Sequence, residues 1–436
     1  MRALGRIVRR RGAWPVALAG AVLLGAALRL VWVSDIEYKG DEVWTFERTQ
    51  HVGRTEPLLW LGIPSSALLR NPGMSLWVFV ILARVFGAQD PPALARAVQL
   101  LSIAAILLLL AFALRWVAPE EREPWLWAVA LVSVNPLVVL FHRKIWPPSV
   151  LPIFSLAMLA GWWRRDSRWG AFLWGLVGMW LGQIHVSGFF FAAGFLAWAL
   201  LFAQRRVSWP SWLAGSCLGA LPMLPWLYYL ATAYGQRSAT ALDPTHWLEL
   251  RFWIRWVTEP VGLSLEYSLW GHFRDFLGYP LVHGRPTYLA LVLHGVIIGA
   301  GALILVRAGP CLWRDRREWR EIWIGRGSPT AFTQSAALWG CGILLTASAL
   351  EIHRHYMLVT FPLEFVWLAR LALAPSGWPT LARPSGRALL LSLCLAQAAL
   401  SATFLGYIHV NQGAPLGDYG IAYAGQKRPS GARPGQ

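Results

Sequence analysis

The chain has 436 residues, 56% hydrophobic and only 14% charged, with a formal charge of +17. Apolar density of that order along most of the length excludes a water-soluble globular enzyme and predicts a polytopic membrane protein. The basic excess forms no stripe with interleaved aromatics on a soluble domain, which excludes nucleic acid as a partner, and the four scattered cysteines (Cys217, Cys311, Cys341, Cys394) give neither a disulfide framework nor a metal-ligand spacing.

Taken in chain order, the apolar blocks predict an all-α bundle of eleven membrane spans. These are Ala13–Val33, Ala97–Leu114, Trp125–Phe141, Ile145–Trp163, Trp169–Ile184, Val186–Phe202, Trp212–Leu230, Tyr288–Val306, Ala331–Leu350, Tyr356–Leu373 and Ala388–Ile408. The first follows Arg9-Arg10-Arg11 and has no small-residue cleavage site before Asp35, so it is expected to stay as a helix. One further block, Gly73–Ala88, is apolar for about 14 residues and contains Arg84, too short a stretch to cross. It is expected to lie along the outer interface.

Charge placement orients the bundle. With the N-terminus cytoplasmic, the short inner segments hold 21 basic and 7 acidic residues, against 18 and 15 in the rest of the chain. That asymmetry follows the positive-inside rule. It leaves residues 34–96 as a long first outer loop, residues 231–286 as a second, and residues 411–436 as an outer tail behind a single membrane domain, residues 1–410. The second outer loop carries mixed charge, including Asp243-Pro-Thr-His-Trp. The 28 tryptophans gather near helix ends, as interfacial belts do.

The polar residues of the outer helix ends are the candidate site. The first loop opens Asp35-Ile-Glu-Tyr-Lys-Gly-Asp-Glu, where five of eight residues are ionisable and four are acidic. A carboxylate cluster at the mouth of a span is costly unless solvated or used. His142-Arg143-Lys144, His185, and Glu351-Ile-His353-Arg354-His355-Tyr356 occupy the outer ends of other helices. Carboxylates beside cations suit acid–base chemistry at a phosphate-linked group. Each cluster also has a plainer reading: a solvated or capping acidic pair at 41–42, snorkelling side chains at 142–144, a satisfied interfacial histidine at 185, lipid headgroup contacts at 353–355, and, inside a span, a bundle-paired Glu364.

In this order the features resemble the GT-C class of integral membrane glycosyltransferases, the family that contains protein O-mannosyltransferases and aminoarabinose transferases. Asp41-Glu42 resembles the Asp-Glu pair that opens the first outer loop of that class, and Asn71-Pro72-Gly-Met-Ser-Leu is a partial match to its His-Pro-Pro-Leu-like motif. Leu94-Ala-Arg96-Ala-Val-Gln-Leu-Leu-Ser102 resembles its Ala-x-Arg-x-x-Ser helix start. Phe141-His-Arg143-Lys and His353-Arg354-His-Tyr356-Met-Leu-Val-Thr-Phe-Pro362 resemble its Arg-containing turn and its late Arg-Tyr helix. The large outer domains of some members have no counterpart.

The resemblance implies a sugar donor carried on polyprenyl phosphate, a lipid, glycan or protein acceptor, and transfer with inversion on the outer face of a bacterial cytoplasmic membrane. It implies Asp41 as general base with Glu42 orienting it. Arg143, Lys144, Arg354 and His353 would bind the donor phosphate, and His142, His185, His355 and Tyr356 would contact substrate. No ligand spacing demands a cofactor, and a divalent cation bridging carboxylate and phosphate is compatible with the cluster. Two alternatives from other classes are a transporter or flippase, which would carry inverted repeats and midplane polar residues, and a non-catalytic subunit of an envelope polysaccharide system.

Overall fold

A computed structural model describes residues 14–64, 70–234, 248–314, 323–374 and 385–427. The Arg9–Arg11 run, the Asp243 motif and parts of the basic loops (315–322 and 375–384) lie outside the described residues. In chain order come α1 (Trp14–Leu30), α2 (Gly40–His51), α3 (Met74–Val85), α4 (Pro91–Arg115), α5 (Arg122–Val134), α6 (Pro136–Phe141), α7 (Pro147–Trp163) and α8 (Arg168–Ile184). There follow α9 (Ser187–Phe202), α10 (Trp209–Ala220), α11 (Arg251–Val261), α12 (Leu289–Arg314), α13 (Pro329–Ser335), α14 (Leu363–Leu373) and α15 (Gly386–Asn411), joined by shorter helical turns. Among the described residues β-structure amounts to three two-stranded antiparallel pairs, the last of them Gly413–Ala414 with Gly420–Ile421, and two isolated bridges. The fold class is all-α.

Helices start where a side chain or a proline removes the cost of orphan N–H groups. Asp90 accepts from the Ala93 amide at 2.8 Å with Pro91 at the first helical position of α4. Ser167 caps α8 and Ser328 caps α13 in the same way, at 3.1 and 3.0 Å. At the centre lies α5, whose residues Trp127 to Val134 are all buried, surrounded by α1, α4, α14 and α15. A helix apolar all round belongs in a core. Farther out, α8 packs between α7 and α10 at very short range. A Cβ on Gly175 would sit 2.3 Å from the Trp212 carbonyl oxygen, and one on Gly215 would sit 2.1 Å from that of Phe172. Small residues admit that approach in apolar bundles.

The expectation of eleven spans is corrected. Among the described residues four helices are long and apolar enough to cross a membrane: Pro91–Arg115, Trp209–Thr232, Leu289–Gly309 and Gly386–Asn411. A fifth appears if the pair Arg354–Thr360 and Leu363–Leu373, bent by 79°, counts as one. The rest of the apolar blocks are helical but shorter or interrupted. The block Trp125–Phe141 divides at Asn135-Pro136, where Pro136 lacks the N–H that would continue α5 and Asn135 caps α6 instead. The block Ala331–Leu350 changes to a π-helical turn at Ala336–Cys341 and its last helix ends at Thr346. The bend at residues 361–362 has the same origin in Pro362. Helices α7 and α8, with 17 residues each, are about 25 Å long, short of the roughly 30 Å hydrocarbon layer.

The Gly73–Ala88 block forms α3, a 12-residue helix of about 18 Å. It packs on α2, α4 and α8, burying Leu76, Phe79 and Leu82 and leaving Ile81, Val85 and Phe86 exposed.

Candidate active site

Two buried arginines fix the corner from which the site is built. Arg29 of α1 donates to the Val132 and Ser133 carbonyls at the end of α5 and to His142 Nδ1 at 3.0 Å. Arg143, just after α6, donates in return to the carbonyls of Leu28, Arg29, Val31 and Trp32 at the end of α1. Arg29 thus serves orphan carbonyls at the end of α5, and Arg143, which follows α6, serves carbonyls at the end of α1. His142 and Arg143 are therefore inside the corner, with His142 Nδ1 and the terminal nitrogens of Arg143 bonded to α1 and the turn after it.

From this corner a chain of alternating charges runs across the end of the bundle. Lys144 Nζ lies 3.6 Å from Glu42 and 2.8 Å from Glu37. Glu37 pairs with Lys39 at 3.1 Å, Lys39 with Asp418 at 3.2 Å, and Asp418 with Arg354 at 3.0 Å. The C-terminal segment reaches this place because its backbone is tied to the first loop. Glu37 bridges Ala422, the Tyr423 amide donates to the Ile36 carbonyl, and the Tyr419 hydroxyl donates to the Asp35 carbonyl. Burial, with Glu37 and Asp41 adding to it, raises the Glu42 carboxyl to about 7 against the pull of Lys144. Burial also works to raise Asp418, but Lys144, Lys39 and Arg354 outweigh it and hold that carboxyl below its ordinary value.

The chain ends at a cavity of about 540 Å³. Asp41, at the start of α2, lies on one wall and accepts from Trp146 Nε1 through Oδ2 at 2.9 Å. Arg354 lies on another wall, donating to the Ser264 carbonyl and to Asp418, its plane over Tyr267. Between them His355 packs edge-on against Trp146 and His185, and His185 Nδ1 lies 2.8 Å from the Ser187 hydroxyl. Burial, then the nearby His353, lowers His185 to about 3, so it is a neutral imidazole at physiological pH. Burial lowers His353 as well, assisted by Arg255 and Arg251 and opposed by Glu351.

Of the residues singled out from the sequence, Asp41, His185, His353, Arg354, His355 and Tyr356 line this cavity. Glu42, His142, Arg143 and Lys144 are buried and do not line it. Arg143 and Lys144, expected at a donor phosphate, have other partners here: four main-chain carbonyls accept from Arg143 and two carboxylates pair with Lys144. Sequence reasoning missed Asp418, Arg255, Trp146 and Tyr267, while Asn71, quoted from the partial motif match in the first loop, also lies on the wall. The Gly417-Asp-Tyr-Gly run in the tail, rich in turn formers, was the available signal for Asp418. Among the described residues no group of three or more His, Cys, Asp or Glu is placed to hold a metal ion. The two cavity carboxylates, Asp41 and Asp418, are already hydrogen-bonded or ion-paired, so the donor set does not define a metal site.

No protein-family model, curated protein or solved structure matches the chain.

Proposed function

We propose that the chain is an integral membrane glycosyltransferase of GT-C type that moves a sugar from a polyprenyl-phosphate carrier to a hydroxyl of a lipid, glycan or protein. The reaction would take place on the outer face of a bacterial cytoplasmic membrane. One observation carries this reading: an exposed carboxylate, Asp41, and a buried guanidinium, Arg354, line the same cavity at the end of an apolar helix bundle.

That pairing suits displacement at an anomeric carbon. The Trp146 N–H holds one Asp41 oxygen, and the other is left to take the acceptor's hydroxyl proton. The acceptor oxygen then forms its bond to the anomeric carbon from the face opposite the departing phosphate, with inversion. The electron pair of the broken C–O bond stays on the phosphate oxygen, where Arg354 and Arg255 stabilise it without a proton. Arg354 is held for this by Ser264 and Asp418, so part of its ordering cost is met before the donor binds. Neutral imidazoles at His185 and His353 offer hydrogen bonds to sugar hydroxyls without a competing charge. Glu42 acts at one remove, by fixing Lys144 behind the cavity wall.

The test is a comparison of envelope glycolipids and glycans from a strain lacking the gene with those of its parent by mass spectrometry. Loss of one sugar modification, restored by the wild-type gene, supports the reading. An unchanged glycan profile with a defect in solute uptake would replace it with a transport function.

A further inference from the structure

A second and larger cavity, of about 830 Å³, lies at the other ends of the helices that build the Asp41 cavity. Helix α7 begins beside the Asp41 cavity and ends at Trp163, while α8 begins at Arg168 next to the second cavity and ends beside His185. Seventeen residues per helix separate the two by about 25 Å. The second cavity therefore belongs to no part of the site described above.

Its walls combine cations with apolar surface. Arg165, Arg205, Arg206 and Arg326 line it with a single acid, Asp166, beside Trp163, Phe202 and Phe332. Arg165 is the anchor. Its guanidinium is stacked on Trp162 at 4.3 Å and lies over Phe332 at 5.2 Å, and it donates through NH1 to the Trp162 carbonyl. Its Nε–H is buried without a hydrogen-bond partner among the described residues. Burial lowers this guanidinium to about 10, against the pull of Asp166 and with a smaller contribution from the like charge of Arg206. A stacked, half-buried guanidinium with an unpaired N–H carries a desolvation cost that an anion in the cavity would relieve. Scattered loop arginines that only set topology need no such cavity and no such stacking.

We propose that this cavity is a binding site for a phosphate group, carried by an anionic phospholipid or by a soluble phosphate, with Arg165 and Arg206 as its principal ligands. Arginine forks match phosphate oxygens, and the aromatic wall fits the glycerol and upper acyl region of a lipid. This proposal does not depend on the glycosyltransferase reading.

Native mass spectrometry on the purified full-length chain tests it, with phosphatidylglycerol, phosphatidylcholine and inorganic pyrophosphate as separate probes. A lipid source is supported if phosphatidylglycerol is retained at least about tenfold better than phosphatidylcholine and that preference disappears in R165Q/R206Q. A soluble source is supported if pyrophosphate binds the wild type and not that variant. Arg115→Gln, an exposed arginine outside the cavity lining, serves as the control and is expected to bind as wild type. Equal loss in the Arg115 variant would show a general surface-charge effect and overturn the proposal. Unchanged binding in R165Q/R206Q, or no binding of either phosphate probe, would overturn it as well.

Discussion

Asp41 and Glu42 are neighbours in sequence with opposite surroundings: the first is exposed on the cavity wall, the second buried against Lys144. Burial raises Glu42 in the folded chain to about 7 from an ordinary value near 4.5. Between those values the folded state binds more protons than the unfolded state, so stability falls as pH rises through this window. Thermal midpoints in detergent are expected to decline from about pH 4.5 to about pH 7, and Glu42→Gln is expected to flatten that decline. An unchanged slope in the variant would show that other groups carry it. Arg354 belongs to the donor. Arg354→Ala removes charge-assisted hydrogen bonds worth roughly 1.5–3 kcal/mol each, which corresponds to about one to two orders of magnitude in donor affinity. Arg354→Lys keeps a point charge but not the fork and is expected to fall between the two. A titration of donor against purified protein reads this, and equal affinity in all three forms would remove Arg354 from the phosphate site.

At the scale of elements, the bond between the end of α1 and the turn after α6 makes Arg143 a stability residue. Arg143→Ala would take this donor from the Leu28, Arg29 and Val31 carbonyls at the end of α1, while Trp32 keeps the Asp35 N–H. It is expected to destabilise the fold by roughly 2–4 kcal/mol, seen as a lower thermal midpoint, with donor affinity of the surviving folded fraction unchanged. Loss of donor affinity at full stability would return Arg143 to the phosphate site. The apolar runs made most helices legible, since continuous hydrophobicity reports burial whatever the partner. Their lengths were less so. Pro136 and Pro362 are visible in the sequence, but an apolar average across each smooths over the break that a missing N–H imposes. The helix at residues 74–85 was legible for the opposite reason: its apolar run is too short for anything but a surface or core helix.

At the scale of the whole molecule, the candidate site depends on contacts between segments far apart in the chain. Asp41, His185 and Arg354 were legible as polar residues at helix ends that charge asymmetry assigns to one face. Which of the neighbouring cations face the cavity was not legible. Arg143 and Arg354 look alike in sequence, and only the packing of α1 against α5 consumes one of them. Asp418 was hidden because its position rests on tail-to-loop hydrogen bonds, which leave no periodic signal. The central claim is sugar transfer with Asp41 as the base. Its most direct measurement is the release of polyprenyl phosphate from a polyprenyl-phosphate sugar donor by the purified chain with an acceptor present, comparing wild type with Asp41→Asn. The expected result is release by the wild type and a rate lower by at least about 10²-fold in the variant, at equal donor affinity. Equal release by both proteins, or none by a folded wild type across the common bacterial donor sugars, would contradict the claim.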